Sequence, residues 1–246
     1  MAIKNGDVVC IEYEAYLVDD NTLFDTSNEE KAKEAGIYNE QYKYAPMPVL
    51  VGSGGLFKGL EDAIIDSEVG EEREVILPPE LAGGERDPKL IELLPIREFR
   101  KKDVEPYPGL EVTIGNRKGT VTSVHAGRVR VDFNSPLAGK TLKYKFTVTE
   151  IIEDPLEKAK ALLDLNYGTS DGFDFEIRDD SVDVKLSEVC KFDQNWPMAR
   201  FRLVSALRET FGVDTVRFIE EWTKISNEDD SKESEVVEEA SDNSDE

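Results

Sequence analysis

Along residues 7–18 (DVVCIEYEAYLV) apolar and polar positions alternate. Val9, Ile11 and Tyr13 share one face and Cys10, Glu12 and Glu14 the other, which predicts a half-buried strand. Turn chemistry at Asp19-Asp20-Asn21 followed by the extended Leu23-Phe24-Asp25-Thr26 makes this a hairpin. The polar stretch 28–37 predicts a short helix, with Asn28 as cap and Gly36 as stop. A Tyr-rich segment (Tyr38, Tyr42, Tyr44) leads to a strand at Val49–Val51. Gly52-Ser53-Gly54-Gly55 then opens a helix from Leu56 to about Asp66, on which Leu56, Phe57, Leu60, Ala63 and Ile64 share a face. A strand at 74–77 ends at Pro78-Pro79.

The pattern then changes character. A short helical stretch is expected within Pro88–Phe99, a turn at Pro106–Gly109, and strands around 110–114, 120–124 and 128–133. In the last of these Val129, Val131 and Phe133 alternate with Arg128, Arg130 and Asp132, a strand with one solvated, basic face. Residues 141–152 return to the earlier strand type. Asp154 caps a helix over 155–166 with Pro155 at its first position. A hairpin (Phe173, Phe175 and Ile177, then Val182–Leu186) and helices at about 197–211 and 214–222 complete a small α+β unit.

Charge turns this element list into a map. The 246 residues carry a net charge of −23, which argues against binding of nucleic acid or an anionic membrane by the whole chain. Residues 226–246 hold −9 of it with no aromatic residue, a disordered acidic tail. Residues 86–137 instead carry +3, the mark of a separate module. No apolar run is long enough to span a bilayer, and the N-terminus lacks the apolar core of a signal peptide, so a cytoplasmic location is expected. Cys10 and Cys190 read as reduced thiols, and one histidine leaves little room for His-based metal sites or triads.

Residues 9–27 (VCIEYEAYLVDDNTLFDTS), 46–70 (PMPVLVGSGGLFKGLEDAIIDSEVG) and 141–148 (TLKYKFTV) resemble the FK506-binding-protein (FKBP) type of peptidyl-prolyl isomerase. The basic block sits where SlyD-like members carry a chaperone domain inserted in the flap, and Asn134–Leu142 matches that family's return segment. The C-terminal extension resembles that of long archaeal members. The resemblance implies an α+β fold, an antiparallel half-barrel sheet around a short helix, with a small β-rich insert and a C-terminal α+β extension. The implied organisation is an isomerase domain over 1–85 plus 138–153, an insert over 86–137, a C-terminal domain over 154–225 and the tail over 226–246.

Isomerising an X-Pro bond crosses a barrier near 18–20 kcal/mol without breaking any bond, so the chemistry needs a desolvating apolar pocket and no nucleophile, metal or cofactor. By resemblance, Tyr13, Phe24, Asp25, Phe57, Leu60 and Tyr144 form the catalytic set, with Met47 and Leu56 binding substrate beside them. Leu60 would be the floor, the Phe57 N–H would hold a substrate carbonyl, and Asp25 would orient Tyr13. The resemblance also places Gly83 where the family usually has a flap aromatic that donates to substrate, which implies reduced activity. The nickel-binding tail of bacterial members is not carried over, because this tail has neither His nor Cys.

Ile91, Leu93, Leu94, Ile96, Phe99 and Leu137 are expected to contact unfolded, proline-containing clients, although the same residues suit a small core. Phe201, Val204, Leu207 and Phe211 lie at helical spacing, fitting either a homodimer interface through the C-terminal domain or burial within the monomer. The resulting expectation is an isomerase-chaperone. The alternative is a holdase whose isomerase pocket has decayed.

Overall fold

The computed structural model describes residues 2–101 and 103–222. The acidic segment 226–246 lies outside them. β1 (Val8–Leu17) buries Val9, Ile11, Tyr13 and Ala15 and exposes Glu12, as its alternation demands. β2 (Leu23–Thr26) returns antiparallel with Asp25 opposite Ala15. In the turn between them Asn21 adopts φ +54°, a left-handed conformation that asparagine tolerates better than most residues. Asn28 caps α1 (Glu29–Glu34) by accepting from the Lys31 N–H at 3.0 Å. β3 (Met47–Leu50) pairs with the first half of β1. α2 (Lys58–Ile65) starts two residues later than its periodicity implied, with Phe57 extended at its N-cap and Leu56 in the loop before it. β4 (Glu72–Leu77) follows.

In the insert, the helical stretch expected within Pro88–Phe99 is divided. A 3-10 turn covers Pro88–Leu90, and β5 (Ile91–Pro95) separates it from α3 (Ile96–Arg100). β6 (Glu111–Ile114), β7 (Arg117–His125) and β8 (Arg128–Asp132) complete a four-stranded sheet in the order β5-β8-β7-β6. Pairing explains the correction: Leu94 lies opposite Val129, and sheet partners override a weak local helical signal. Phe99, Val121, Val129, Val131 and Phe133 form a compact core of their own.

The solvated face of β8 stops at Arg130, because Asp132 is buried. The backbone and side-chain N–H groups of Asn134 donate to Asp132 at 2.9 and 2.7 Å, and Arg86 pairs with it. Partial burial opposes its charge, but Asn134 and Arg86 outweigh that and hold the carboxyl below its ordinary range.

β9 (Leu142–Ile152) pairs with β1 and β4, giving an antiparallel sheet in the order β2-β1-β9-β4 with β3 also on β1. Tyr13 opposes Phe146 and Ala15 opposes Tyr144, so the two strands present their aromatics to one face. α2 lies against that face, with Leu60 and Ile64 packed among Ile11, Tyr13, Tyr144 and Phe146. This is the α+β arrangement expected from the resemblance, a short helix wrapped by an antiparallel sheet.

Asp154 caps α4 (Pro155–Tyr167), its Oδ1 accepting from Leu156 and Glu157 N–H at 3.0 and 2.9 Å. β10 (Asp174–Ile177) and β11 (Ser181–Lys185) form the expected hairpin, and α5 (Trp196–Phe211) follows. Residues 215–219 are a strand, β12 (Thr215–Ile219), where a helix over 214–222 was expected. Thr215, Val216, Phe218 and Ile219 suit a pleated surface, and β12 lies parallel to β11 with Val216 opposite Val182. The C-terminal core joins Leu162, Trp196, Leu203 and Leu207 to Val8 and Leu50 of the first sheet. On α5 the expected stripe divides. Leu207 is fully buried and Val204 and Phe211 are half-buried, whereas Phe201 is 74% exposed, so the four do not share one outer face.

Candidate active site

Tyr144 is the centre of the site. The rings of Tyr13, Phe24 and Phe57 stand 6.3, 6.3 and 6.2 Å from its ring, centre to centre, the two phenylalanines edge-on. The three residues arrive from β1, β2 and the N-cap of α2, and strand register with the late start of that helix brings them together. Leu60 is buried beside them, and Met47 and Leu56 pack partly buried on the same core. The structure therefore gathers Tyr13, Phe24, Phe57, Leu60 and Tyr144 in one cluster with Met47 and Leu56 at its margin.

Asp25 is the cluster's carboxylate. The Tyr13 hydroxyl donates to its Oδ2 at 3.0 Å and lies 3.4 Å from the Tyr42 hydroxyl. Burial, then the Tyr42 hydrogen bond and the Asp25 charge, push the Tyr13 phenol above its ordinary value. Burial and the Asp25 charge do the same to Tyr144. Both phenols therefore stay protonated donors at neutral pH. The Phe57 carbonyl accepts from Leu60 and Glu61 N–H at 2.9 and 3.0 Å, and among the described residues its own N–H takes part in no backbone hydrogen bond. An apolar ring bounded by phenol, carboxylate and a free amide can desolvate a small apolar group and hold one carbonyl beside it.

Tyr42 was not assigned a role from the sequence, although the Tyr-rich segment was its signal. Tyr44 stacks on Tyr38 at 5.5 Å and meets Tyr42 edge-on at 5.1 Å, and this folded aromatic loop carries Tyr42 to Tyr13.

Gly83, the departure in the flap, has a local reason. A Cβ there would lie 2.8 Å from the carbonyl carbon and oxygen of Leu137, so the return segment from the insert occupies the space of a side chain. Restoring an aromatic at this position requires that segment to move.

The residues expected to touch clients are dispersed. Phe99 is in the insert core, Ile96 packs against that core, and Ile91 is half-buried on β5. Leu93 is 51% exposed. Leu137 packs on the isomerase core instead of the insert. Leu94 and Phe99 line an apolar groove of about 410 Å³ with Val104, Leu110, Val112 and Ile114.

A family model described as FKBP-type peptidyl-prolyl cis-trans isomerase matches residues 1–95. A model of the FKBP26 IF domain matches 92–137, and one of the FKBP26 C-terminal region matches 155–223. The chain is 40% identical over 149 residues to the short-type peptidyl-prolyl cis-trans isomerase of Methanocaldococcus jannaschii, covering 61% of this chain and 94% of that one. It is 33% identical over 167 residues to the FKBP-type peptidyl-prolyl cis-trans isomerase SlyD of Treponema pallidum, covering 66% and 86%. To the probable FKBP-type 16 kDa isomerase of Pseudomonas fluorescens it is 31% identical over 112 residues, covering 44% and 73%.

Proposed function

The chain belongs to the FKBP-type peptidyl-prolyl cis-trans isomerase family, and from that premise we propose that it isomerises X-Pro bonds in the Tyr144-centred pocket while its insert holds unfolded client. Catalysis here means favouring the twisted amide over the planar one. The planar amide is the more strongly hydrated, so an apolar pocket destabilises it relative to the transition state. Tyr144, Phe24, Phe57 and Leu60 enclose the proline ring. The Phe57 N–H holds a flanking carbonyl, and Asp25 fixes Tyr13 and electrostatically favours the twisted amide. The observation that supports this reading most is the Tyr13–Asp25 hydrogen bond within a cluster of otherwise apolar walls. The non-catalytic holdase is disfavoured by relatives named as isomerases and by a pocket whose aromatic residues are in place.

The client surface on this reading is the groove with Leu94 and Phe99, extended by exposed Leu93 on β5. Two free thiols and the absence of a membrane-crossing helix among the described residues fit a cytoplasmic protein. Phe192, Met198 and Phe201, exposed on the C-terminal unit, supply an apolar surface for a homodimer. Light scattering on the full chain should give a dimer mass, and Phe201→Glu should return it to the monomer. For catalysis, the parent should accelerate both a proline-containing tetrapeptide and a proline-limited refolding reaction. No acceleration of either would reject the isomerase.

A further inference from the structure

Two phenols stand in the cluster around Tyr144, and their hydroxyls are used differently. Tyr13 gives its proton to Asp25 Oδ2 at 3.0 Å. The Tyr144 hydroxyl makes no hydrogen bond among the described residues, although the residue is only 6% exposed. Nor is it cut off from water: among the described residues, the buried side-chain polar atoms without a partner are Asp164 Oδ1, Trp196 Nε1 and Thr210 Oγ1. The small surface that Tyr144 keeps therefore includes its hydroxyl, and an uncommitted donor opens from an otherwise enclosed ring.

That donor is held in place. Tyr144 lies on β9 opposite Ala15 of β1 and Val75 of β4, and its ring meets those of Phe24 and Phe57 edge-on at 6.3 and 6.2 Å. Burial and then the Asp25 charge oppose loss of the phenol proton, so the group is a donor throughout the neutral range. A substrate that fills the cluster excludes water from this hydroxyl. Leaving it unbonded would be costly, so the substrate itself must supply the acceptor.

Twisting an X-Pro amide changes its two acceptors in opposite directions. In the planar form the nitrogen lone pair is conjugated with the carbonyl, so the oxygen accepts hydrogen bonds and the nitrogen does not. Rotation breaks that conjugation, returns the lone pair to the prolyl nitrogen and makes it an amine-like acceptor. A donor on the oxygen would stabilise the ground state, whereas a donor on the nitrogen acts only in the transition state. The nitrogen is part of the proline ring, the group that the pocket proposed above encloses. We propose that the Tyr144 hydroxyl is a catalytic hydrogen-bond donor to the prolyl nitrogen of the twisted amide. This rests on the pocket reading and gives a task to an atom that the packing of the ring does not need. No proton is transferred: the bond forms as conjugation is lost and is released as the amide becomes planar again.

The test uses the full chain and a proline-containing tetrapeptide enriched in its cis isomer, so that kcat and KM are measured separately. Tyr144→Phe keeps the ring contacts and removes no intramolecular hydrogen bond. It should lower kcat about fivefold, the order of one neutral hydrogen bond, and leave KM within about twofold. Replacing Tyr144 by 3-fluorotyrosine keeps nearly the same shape and makes the phenol more acidic. That stronger donor should raise kcat above the parent at about pH 7.

Equal kcat values for the parent and Tyr144→Phe overturn the donor. So does a loss confined to KM, the mark of ground-state binding. A kcat indifferent to the acidity of the phenol overturns it as well, since packing alone would give that result. In each of these cases the parent still turns over the peptide, so the pocket reading stands while the donor falls. A parent with no turnover rejects both. If Tyr144→Phe does not fold, the fluorotyrosine comparison decides by itself.

Discussion

Two apolar regions of this chain, the cluster around Tyr144 and the groove of the insert, differ in design. The cluster around Tyr144 joins aromatics from three elements to a fixed polar arrangement, Tyr13 on Asp25 with Tyr42 beside it. The groove of the insert is lined by Leu94, Phe99, Val104, Leu110, Val112 and Ile114 along a small sheet, with Glu98, Glu111 and Thr113 also on its lining. A site that must act on one bond needs a polar handle to set direction. A site that must accept many sequences does better when apolar wall dominates, because each fixed polar group rejects the partners that cannot use it.

The largest effect should come from separating the two. The Gly139 N–H donates to the Gly84 carbonyl at 2.8 Å, so the chain leaves and re-enters the isomerase core at adjacent points and the insert is removable with a short linker. Replacing 86–136, which leaves Leu137 on the isomerase core, should slow proline-limited refolding of a protein client by about a hundredfold, the scale of a lost effective concentration, and change tetrapeptide turnover by no more than about twofold. Equal losses on the two substrates would merge the sites that the comparison separates.

A smaller effect is expected inside the pocket. Phe57→Ala removes one of the rings packed on Tyr144. It should lower tetrapeptide kcat/KM by about thirtyfold, equivalent to about 2 kcal/mol of lost packing on the proline ring. Affinity for an unfolded client without proline should stay within about twofold, since the insert groove is unaltered. A parallel fall in client affinity would mean that the pocket itself serves as a holding site. Asp25→Asn is milder, because it keeps the shape and weakens only the charged acceptor of Tyr13. A loss of about tenfold in kcat/KM is expected, the upper range for one hydrogen bond.

The pocket was more legible in the sequence than the groove, for a physical reason. Strand alternation placed Tyr13, and a short spacing placed Phe24 and Asp25 on the partnering strand, so local pattern and family resemblance agreed. The insert residues carried no such constraint. Phe99 became core, Leu93 surface, and Leu137 left the insert altogether to pack on the isomerase core, because a five-residue core decides burial by tertiary fit alone. The same limit explains β12, whose parallel partner β11 is distant in sequence, and Gly83, whose missing side chain makes sense only beside the Leu137 backbone. Tyr42 and Asp164 line one groove from distant parts of the chain, a placement that no sequence period describes.

The least effect, and the sharpest contrast, is expected with pH. Tyr13 and Tyr144 are held above the usual phenol value by burial and by the neighbouring Asp25 charge, so neither ionises in the folded state below about pH 10. As far as these donors are concerned, kcat/KM on a tetrapeptide should be flat from about pH 7 to about pH 10, and an alkaline limb inside that window would show that a pocket phenol is solvated. Stability follows a different course. Groups raised on folding stabilise fully below their unfolded values and lose that contribution as pH climbs through the folded ones. Cys10, pushed up to about 11 by burial and then by the charge of Glu150, makes the isomerase core begin to weaken above its ordinary thiol range, ahead of the tyrosines. The insert has the opposite limb. Asp132 is held below its ordinary range, so its contribution is complete above the unfolded carboxyl value and disappears as pH falls through the folded one. Hydrogen exchange at acid and alkaline pH should therefore open β8 first at one extreme and β1 first at the other. The same element opening first at both would show that the two regions share one stability and unfold together.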